Sequence, residues 1–282
     1  MPRFRLTIEY AGTRYSGWQI QKNARTVQGE IDRAVRTVTG RKDFELYGAG
    51  RTDAGVHALA QVAHLDVASN VPAETMRRRL NDELPADINI LAQRVVPHRF
   101  HARHDAVARR YLYQIARRRT AFAKPYVWWV KDDLAVDRMR QAASALVGMR
   151  DFAAFAEEDD RRFVTGSGVV SSNPRPKTTP DPVTSRQSTL VLIERLDVGE
   201  DGDLVLVAIE GSHFLWKMVR RIVGVLVEIG KGAMAPDADV SHETAARLTA
   251  PAAGLFLERV YYKNDTRDAA LRAATPLSPQ RP

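Results

Sequence analysis

A glycine-rich segment at residues 48–57, which reads GAGRTDAGVH, holds the side chains in this chain best suited to chemistry. Asp53 lies near its centre, two residues after Arg51, and the chain has no cysteine that could act as a nucleophile. A carboxylate can serve as a nucleophile or as a general base, and a nearby cation favours the ionised form that either role needs. The spacing alone is equally typical of a surface turn, because Asp often hydrogen-bonds the backbone within turns.

The residues on either side predict that this segment is a loop between two strands. Residues 44–47 form a short strand-like run, and apolar and polar residues alternate over 63–67. Glycine reaches backbone conformations that bulkier residues do not. We therefore expect Asp53 at the tip of a tight loop that two strands hold in place.

The hydrophobic periodicity of the remaining chain predicts alternating strands and helices, which indicates an α+β fold. Thr26 is a suitable N-cap for the first helix, and Trp128 and Trp129 are expected in the core. The predicted strands cover 3–10, 88–96, 107–115, 126–130, 190–198 and 204–209, and the predicted helices begin at 27 and cover 73–84, 137–147 and 214–229.

Four further segments have distinctive compositions: YSGWQ at 15–19, FHAR at 100–103 followed by ARRY at 108–111, FLWKMVRRIVG at 214–224, and APAAGLFL at 250–257. Together with the Asp53 loop, they resemble the motifs of the tRNA pseudouridine synthases of the TruA family, in the same order. The resemblance extends over roughly residues 4–262. Five motifs in order are far more specific than the glycine-rich loop alone.

The resemblance implies a pseudouridine synthase fold of two tandem ferredoxin-like, or RRM-like, α+β halves, with antiparallel sheets and helices on the outer faces. We expect an N-terminal domain over 1–103 that carries the Asp53 loop, and a C-terminal domain over 104–265. Gly, Ser, Thr and Pro dominate residues 164–188, which predicts a flexible insertion. The last residues, 266–282, are expected to form a disordered tail.

The resemblance also assigns roles to five residues. Asp53 would be the catalytic residue, Arg51 would fill the space left by a flipped-out nucleotide, Tyr111 would pack against the target base, Arg220 would pair with Asp53, and Leu255 would bind substrate. The residues alone favour plainer roles: Tyr111 as a packing residue on a strand and Arg51 as a turn residue. Lys217 and Arg221 are the positions expected to be solvated.

The implied activity is isomerisation of uridine to pseudouridine at positions 38–40 of the tRNA anticodon stem-loop, without a metal or an organic cofactor. The resemblance further implies a homodimer. Asp53 would act as a nucleophile or as a base through a glycal-type path. The alternatives are a pseudouridine synthase with other RNA targets and a non-catalytic tRNA-binding or tRNA-folding protein. A metal-dependent nuclease is disfavoured because the carboxylates do not cluster in sequence.

Bulk composition is consistent with an RNA substrate. The net charge of +8 and a sequence pI near 9.9 favour a polyanionic partner. We find no signal peptide and no apolar run of about eighteen residues that would span a membrane, so a cytoplasmic location is expected. His57 and His64 lie seven residues apart without a matching carboxylate pattern, which favours a structural or RNA-facing role over metal binding.

Overall fold

The computed structural model describes residues 1–157 and 188–277, so most of the predicted 164–188 insertion lies outside the described residues. The strands are β1 (Arg3–Tyr10), β2 (Glu45–Gly48), β3 (His57–Asp66), β4 (Ile88–Val96), β5 (Ala106–Ala116), β6 (Trp128–Trp129), β7 (Gly148–Asp151), β8 (Leu190–Asp201), β9 (Leu204–Gly211) and β10 (Leu255–Tyr262). The helices are α1 (Val27–Thr39), α2 (Ala73–Glu83), α3 (Val136–Ala145), α4 (Met218–Gly230) and α5 (His242–Arg247).

The ten described strands form a single sheet, in the order β4-β1-β3-β10-β5-β9-β8-β7, with β2 paired to β3 and β6 paired to β5. Most neighbouring strands are antiparallel; β10 runs parallel to β3, and β6 runs parallel to β5. The two antiparallel sheets that were expected are therefore joined into one. The last of the described strands makes the connection, because β10 lies between β3 and β5.

Local sequence signals explain why these elements form. The alternation along β1 buries Phe4, Leu6 and Ile8 on one side of the sheet. Helix α1 begins where predicted, because the Thr26 hydroxyl accepts a hydrogen bond from the Gly29 amide at 3.2 Å.

The helices of both halves pack on the same face of the sheet. Leu255 and Leu257 lie two residues apart on β10, so they point to the same face. Leu255 belongs to the core beneath α3 and α4, and Leu257 belongs to the core beneath α1 and α2. Tyr111 on β5 packs against both cores. The boundary between the two groups of helices therefore lies over Tyr111.

The opposite face of the sheet is partly covered by the C-terminal residues. Leu271, Ala273, Ala274 and Leu277 pack against a third apolar cluster that includes Phe256. The buried Gln114 side chain accepts hydrogen bonds from the Ala274 amide at 2.7 Å and the Thr275 amide at 3.2 Å. The expectation of a disordered tail is therefore wrong for residues 266–277; residues 278–282 lie outside the described part of the chain.

Three further expectations are wrong. Helix α4 begins at Met218 rather than at 214, because Lys217 adopts a left-handed backbone conformation with φ of 60°. Trp129 is 42% exposed because β6 is a two-residue strand beside β5. Arg221 is buried: its guanidinium donates to the Ala156 carbonyl and lies 3.0 Å from a Glu157 carboxylate oxygen.

Candidate active site

Asp53 lies in the loop between β2 and β3, as predicted, and neighbouring backbone fixes the shape of that loop. The Trp18 amide donates to the Thr52 carbonyl at 3.0 Å, and the Val56 amide donates to the Asp53 carbonyl at 3.1 Å. Gly17 has a φ of 90°, and a Cβ atom there would lie 2.5 Å from the Thr52 carbonyl oxygen. The loop therefore rests directly on the backbone of Gly17, an approach that requires glycine.

The Asp53 carboxylate is held by two side chains from the segment that precedes and begins α4. Oδ1 accepts a hydrogen bond from the indole Nε1 of Trp216 at 2.9 Å, and Oδ2 lies 3.4 Å from Nη1 of Arg220. The Asp53 side chain is 25% exposed. Each carboxylate oxygen thus faces a donor, and the group still reaches solvent.

The position of Arg220 is fixed by a chain segment on its far side. Its Nε donates to the Ala250 carbonyl at 2.7 Å, while the Ala250 amide donates to the Arg220 carbonyl at 3.0 Å. Helix α4 can approach this segment because residue 224 is glycine; a Cβ atom there would lie 1.6 Å from the Leu248 carbonyl oxygen. The guanidinium therefore meets Asp53 in a set orientation.

Tyr111 lies at the bottom of the site, at the boundary between the two cores. Its ring meets Phe214 edge-on, with centroids 5.2 Å apart. Burial raises the pKa of Tyr111 to about 12, and the negative charge of Asp53 adds to the rise. The phenol therefore remains neutral near Asp53 over the physiological pH range.

Arg109 connects the two segments that meet at Asp53, a role that sequence reasoning missed. Its guanidinium donates to the Ser212 carbonyl at 2.8 Å and to the Ala49 carbonyl at 3.0 Å. Ala49 begins the Asp53 loop, and Ser212 begins the segment that carries Trp216. Burial lowers the pKa of Arg109. The ARRY motif at 108–111 was the sequence signal that pointed to this region.

The structure brings Asp53, Tyr111 and Arg220 together, but it places the other two predicted residues differently. Arg51 is exposed, and within the described residues its side chain makes no hydrogen bond or ion pair. The cation that faces Asp53 is therefore Arg220 and not Arg51. Leu255 is 5% exposed and lies within the core beneath α3 and α4. On β10 it is paired with Tyr113 of the neighbouring strand β5.

His57 and His64 are both buried and have structural contacts. Nδ1 of His57 accepts from the Gly12 amide at 3.0 Å, and Nδ1 of His64 accepts from the Ala102 amide at 3.1 Å. Burial lowers the pKa of both groups, that of His64 to about 4. Across residues 1–157 and 188–277, no group of three or more His, Asp and Glu residues is arranged to hold a metal ion.

The arrangement therefore presents one carboxylate, oriented by a neutral N–H donor and a fixed cation, beside a half-buried neutral phenol. Such a carboxylate can attack an electrophilic carbon or remove a proton.

No helix in the described part of the chain is both long and apolar enough to cross a membrane.

Comparison with known proteins gives consistent matches. A family described as tRNA pseudouridine synthase matches residues 6–105 and 142–263. A tRNA pseudouridine synthase A from Rhodopseudomonas palustris strain BisA53 is 38% identical over 272 residues, covering 93% of this chain and 100% of the relative. A tRNA pseudouridine synthase A 2 from Clostridium tetani is 36% identical over 268 residues, covering 92% of this chain and 98% of the relative.

Proposed function

This chain belongs to the tRNA pseudouridine synthase family, and on that premise we propose that it modifies uridines 38–40 of the anticodon stem-loop with Asp53 as the catalytic residue. As a family member it is an isomerase of tRNA processing. The observation that carries the proposal for Asp53 is its carboxylate, held between Trp216 and Arg220 in a site that reaches solvent.

The reaction exchanges one bond to the ribose for another. The bond between ribose C1′ and uracil N1 breaks, the base turns, and a carbon–carbon bond forms between C1′ and C5. The proton on C5 is released and N1 gains one, so the atoms balance as an isomerisation. Asp53 would either attack C1′ and form an ester, or remove the proton from C2′ to give a glycal.

The surrounding residues supply what this chemistry needs. Arg220 would balance the charge of the carboxylate through a hydrogen-bonded ion pair. Tyr111 would pack against the target base, and Leu255 would support that contact from beneath. Arg51, exposed on the same loop as Asp53, would fill the space in the RNA stack that the flipped nucleotide leaves. A planar guanidinium suits that stacking role.

Base flipping explains why a basic protein is suited to this substrate. The target must leave its stack at a cost of a few kcal/mol, which contacts to the phosphate backbone would offset. The net charge of +8 supplies the cations for such contacts. Recognition through shape and backbone would allow one enzyme to modify several neighbouring uridines.

The family resemblance supports four further parts of the proposal. The enzyme would act as a homodimer, in the cytoplasm, without a metal or an organic cofactor. Its N-terminal domain would comprise residues 1–103, and its C-terminal domain would comprise 104–265. These two domains would share one continuous sheet, in which β10 of the second pairs with β3 of the first.

A single-turnover assay on unmodified tRNA transcripts tests the proposal. Pseudouridine would be located by primer-extension stops after carbodiimide treatment, with chelator present, for wild type and Asp53→Asn. We expect stops at 38–40 for wild type alone, with RNA binding by gel shift retained in the variant. Full activity of Asp53→Asn would overturn the catalytic assignment, and stops at other positions would overturn the substrate assignment.

A further inference from the structure

Trp216 contacts the Asp53 carboxylate but has no part in the proposed reaction. Its indole Nε1 donates to Oδ1 of Asp53 at 2.9 Å, and the side chain is 49% exposed. Tryptophan is common at binding surfaces because it combines a large apolar ring with a polar N–H group.

The backbone around Trp216 turns this side chain out of the core. Lys217 adopts a left-handed conformation with φ of 60°. Leu215, which precedes Trp216, and Met218, which follows Lys217, are both buried. A non-glycine residue in that conformation carries a strain of about 1 kcal/mol or more, which the surrounding contacts must offset. The strained residue therefore lies directly after Trp216, in the turn that directs the indole at Asp53.

Lys217 also fixes the indole from its face. Its Nζ lies 4.7 Å from the centre of the Trp216 ring, at a cation–π distance. The same ammonium pairs with a carboxylate oxygen of Glu157 at 2.6 Å. Trp216 is thus held by its edge, through Asp53, and by one face, through Lys217.

We propose that Trp216 is a positioning residue that orients Asp53 through its indole N–H and offers its exposed ring as a stacking surface for a nucleobase of the bound RNA. Bases stack on aromatic side chains irrespective of sequence, because every base has a π-face. A ring that touches the carboxylate places a stacked base next to the reacting carbon. The inference rests on the proposed role of Asp53 and extends it.

Tryptophan emission is the readout that a purely structural role would not move. The chain has four tryptophans, and Trp129 is a matched control because it is 42% exposed and lies near a cation, Arg119. Stopped-flow mixing with unmodified tRNA transcript should quench the emission of wild type and of Trp129→Phe. The quench should be lost in Trp216→Phe. A quench that persists in Trp216→Phe overturns the stacking role.

Two substitutions separate the edge of the indole from its face. Trp216→Phe keeps an aromatic ring and loses the N–H, so the single-turnover rate at saturating tRNA should fall about tenfold with the RNA dissociation constant unchanged. Trp216→Ala loses both, so the dissociation constant should also rise about tenfold. A Trp216→Phe rate equal to wild type overturns the positioning role.

The same assays distinguish failure of the Trp216 inference from failure of the proposed function. An inactive Asp53→Asn beside a fully active Trp216→Phe defeats this inference and leaves the proposed function intact. An active Asp53→Asn, or a wild type that produces no pseudouridine in tRNA, defeats the proposed function itself. Thermal unfolding of each variant, expected close to wild type because Trp216 is half-exposed, shows that lost activity is not lost folding.

Discussion

Arg220 and Asp53 lie 167 positions apart in sequence, yet Nη1 of the arginine approaches Oδ2 of the carboxylate to 3.4 Å. Asp53 belongs to a loop of the first half of the chain, and Arg220 belongs to the first turn of α4 in the second half. The ion pair therefore closes the site between the two halves. The geometry of this ion pair depends on the Ala250 carbonyl, which accepts a hydrogen bond from Arg220 and orients its guanidinium.

Replacing Arg220 by lysine should lower the single-turnover rate on tRNA by about a hundredfold. Lysine keeps the charge but loses the planar fork, so it cannot donate to Ala250 and face Asp53 at the same time. Arg36→Lys is the matched control, because Arg36 pairs with Asp32 on the exposed surface of α1. A rate for Arg220→Lys within twofold of wild type would show that charge alone suffices.

Gly17, which contacts the Asp53 loop, and Gly50, which lies within it, should respond differently to substitution by alanine. Gly17→Ala places a Cβ 2.5 Å from the Thr52 carbonyl at a φ of 90°, so it should destabilise the fold by about 1–3 kcal/mol and displace Asp53. Gly50→Ala meets no atom within 4 Å and should leave stability and rate near wild type. Urea unfolding and the single-turnover rate measure both effects. Equal losses in the two variants would contradict the close approach at Gly17.

Folding stability should decline as the pH falls from about 6.5 towards 4, in part because of His64. Burial lowers its folded-state pKa to about 4, below the ordinary histidine value of 6.5. Only the unfolded chain takes up this proton in that window, so the stabilisation is complete above pH 6.5 and is lost as the pH falls to 4. The loss should be on the order of 2 kcal/mol by pH 5.

The measurement is urea unfolding of wild type and His64→Gln at pH 7 and pH 5. The glutamine carbonyl can still accept from the Ala102 amide but does not titrate in this range. The free energy of unfolding should therefore depend less on pH in the variant than in wild type. Identical pH dependence in the two proteins would rule out His64 as the source.

Removing residues 266–282 should destabilise the fold by about 2–4 kcal/mol. The deletion exposes the apolar cluster beneath Leu271 and leaves the buried Gln114 amide oxygen without its two backbone donors. Deletion of 278–282 alone is the control and should have little effect. If the longer truncation unfolds at the same urea concentration as the full chain, the packing of 266–277 does not stabilise the fold.

Local patterns in the sequence predicted the parts of the site whose causes are local. The strand–loop–strand unit around Asp53 follows from glycines and alternation within about twenty residues, and the Thr26 cap follows from a single side chain. The family resemblance added Tyr111 and Arg220. Both of these lie at the site, although no periodicity would have paired Arg220 with Asp53.

The parts that sequence reasoning missed depend on partners distant in the chain. Arg221 is buried because Ala156 and Glu157, about 65 positions earlier, receive its guanidinium. Trp216 points at Asp53 because Lys217 takes a left-handed conformation that helical periodicity over 214–229 does not reveal. The order of residues 266–277 likewise depends on Gln114, which is some 160 positions away.

The central place of β10 constrains how the chain is assembled during synthesis. Its pairing with β3 and β5 requires residues 255–262, which leave the ribosome well after both of those strands. Until then the edge of β3 at His57, which later pairs with Phe256, is unpaired. Unpaired strand edges can pair with other chains and cause aggregation. The sheet of the nascent N-terminal half therefore stays open at this edge, and the site around Asp53 takes its shape only after residues 255–262 have emerged.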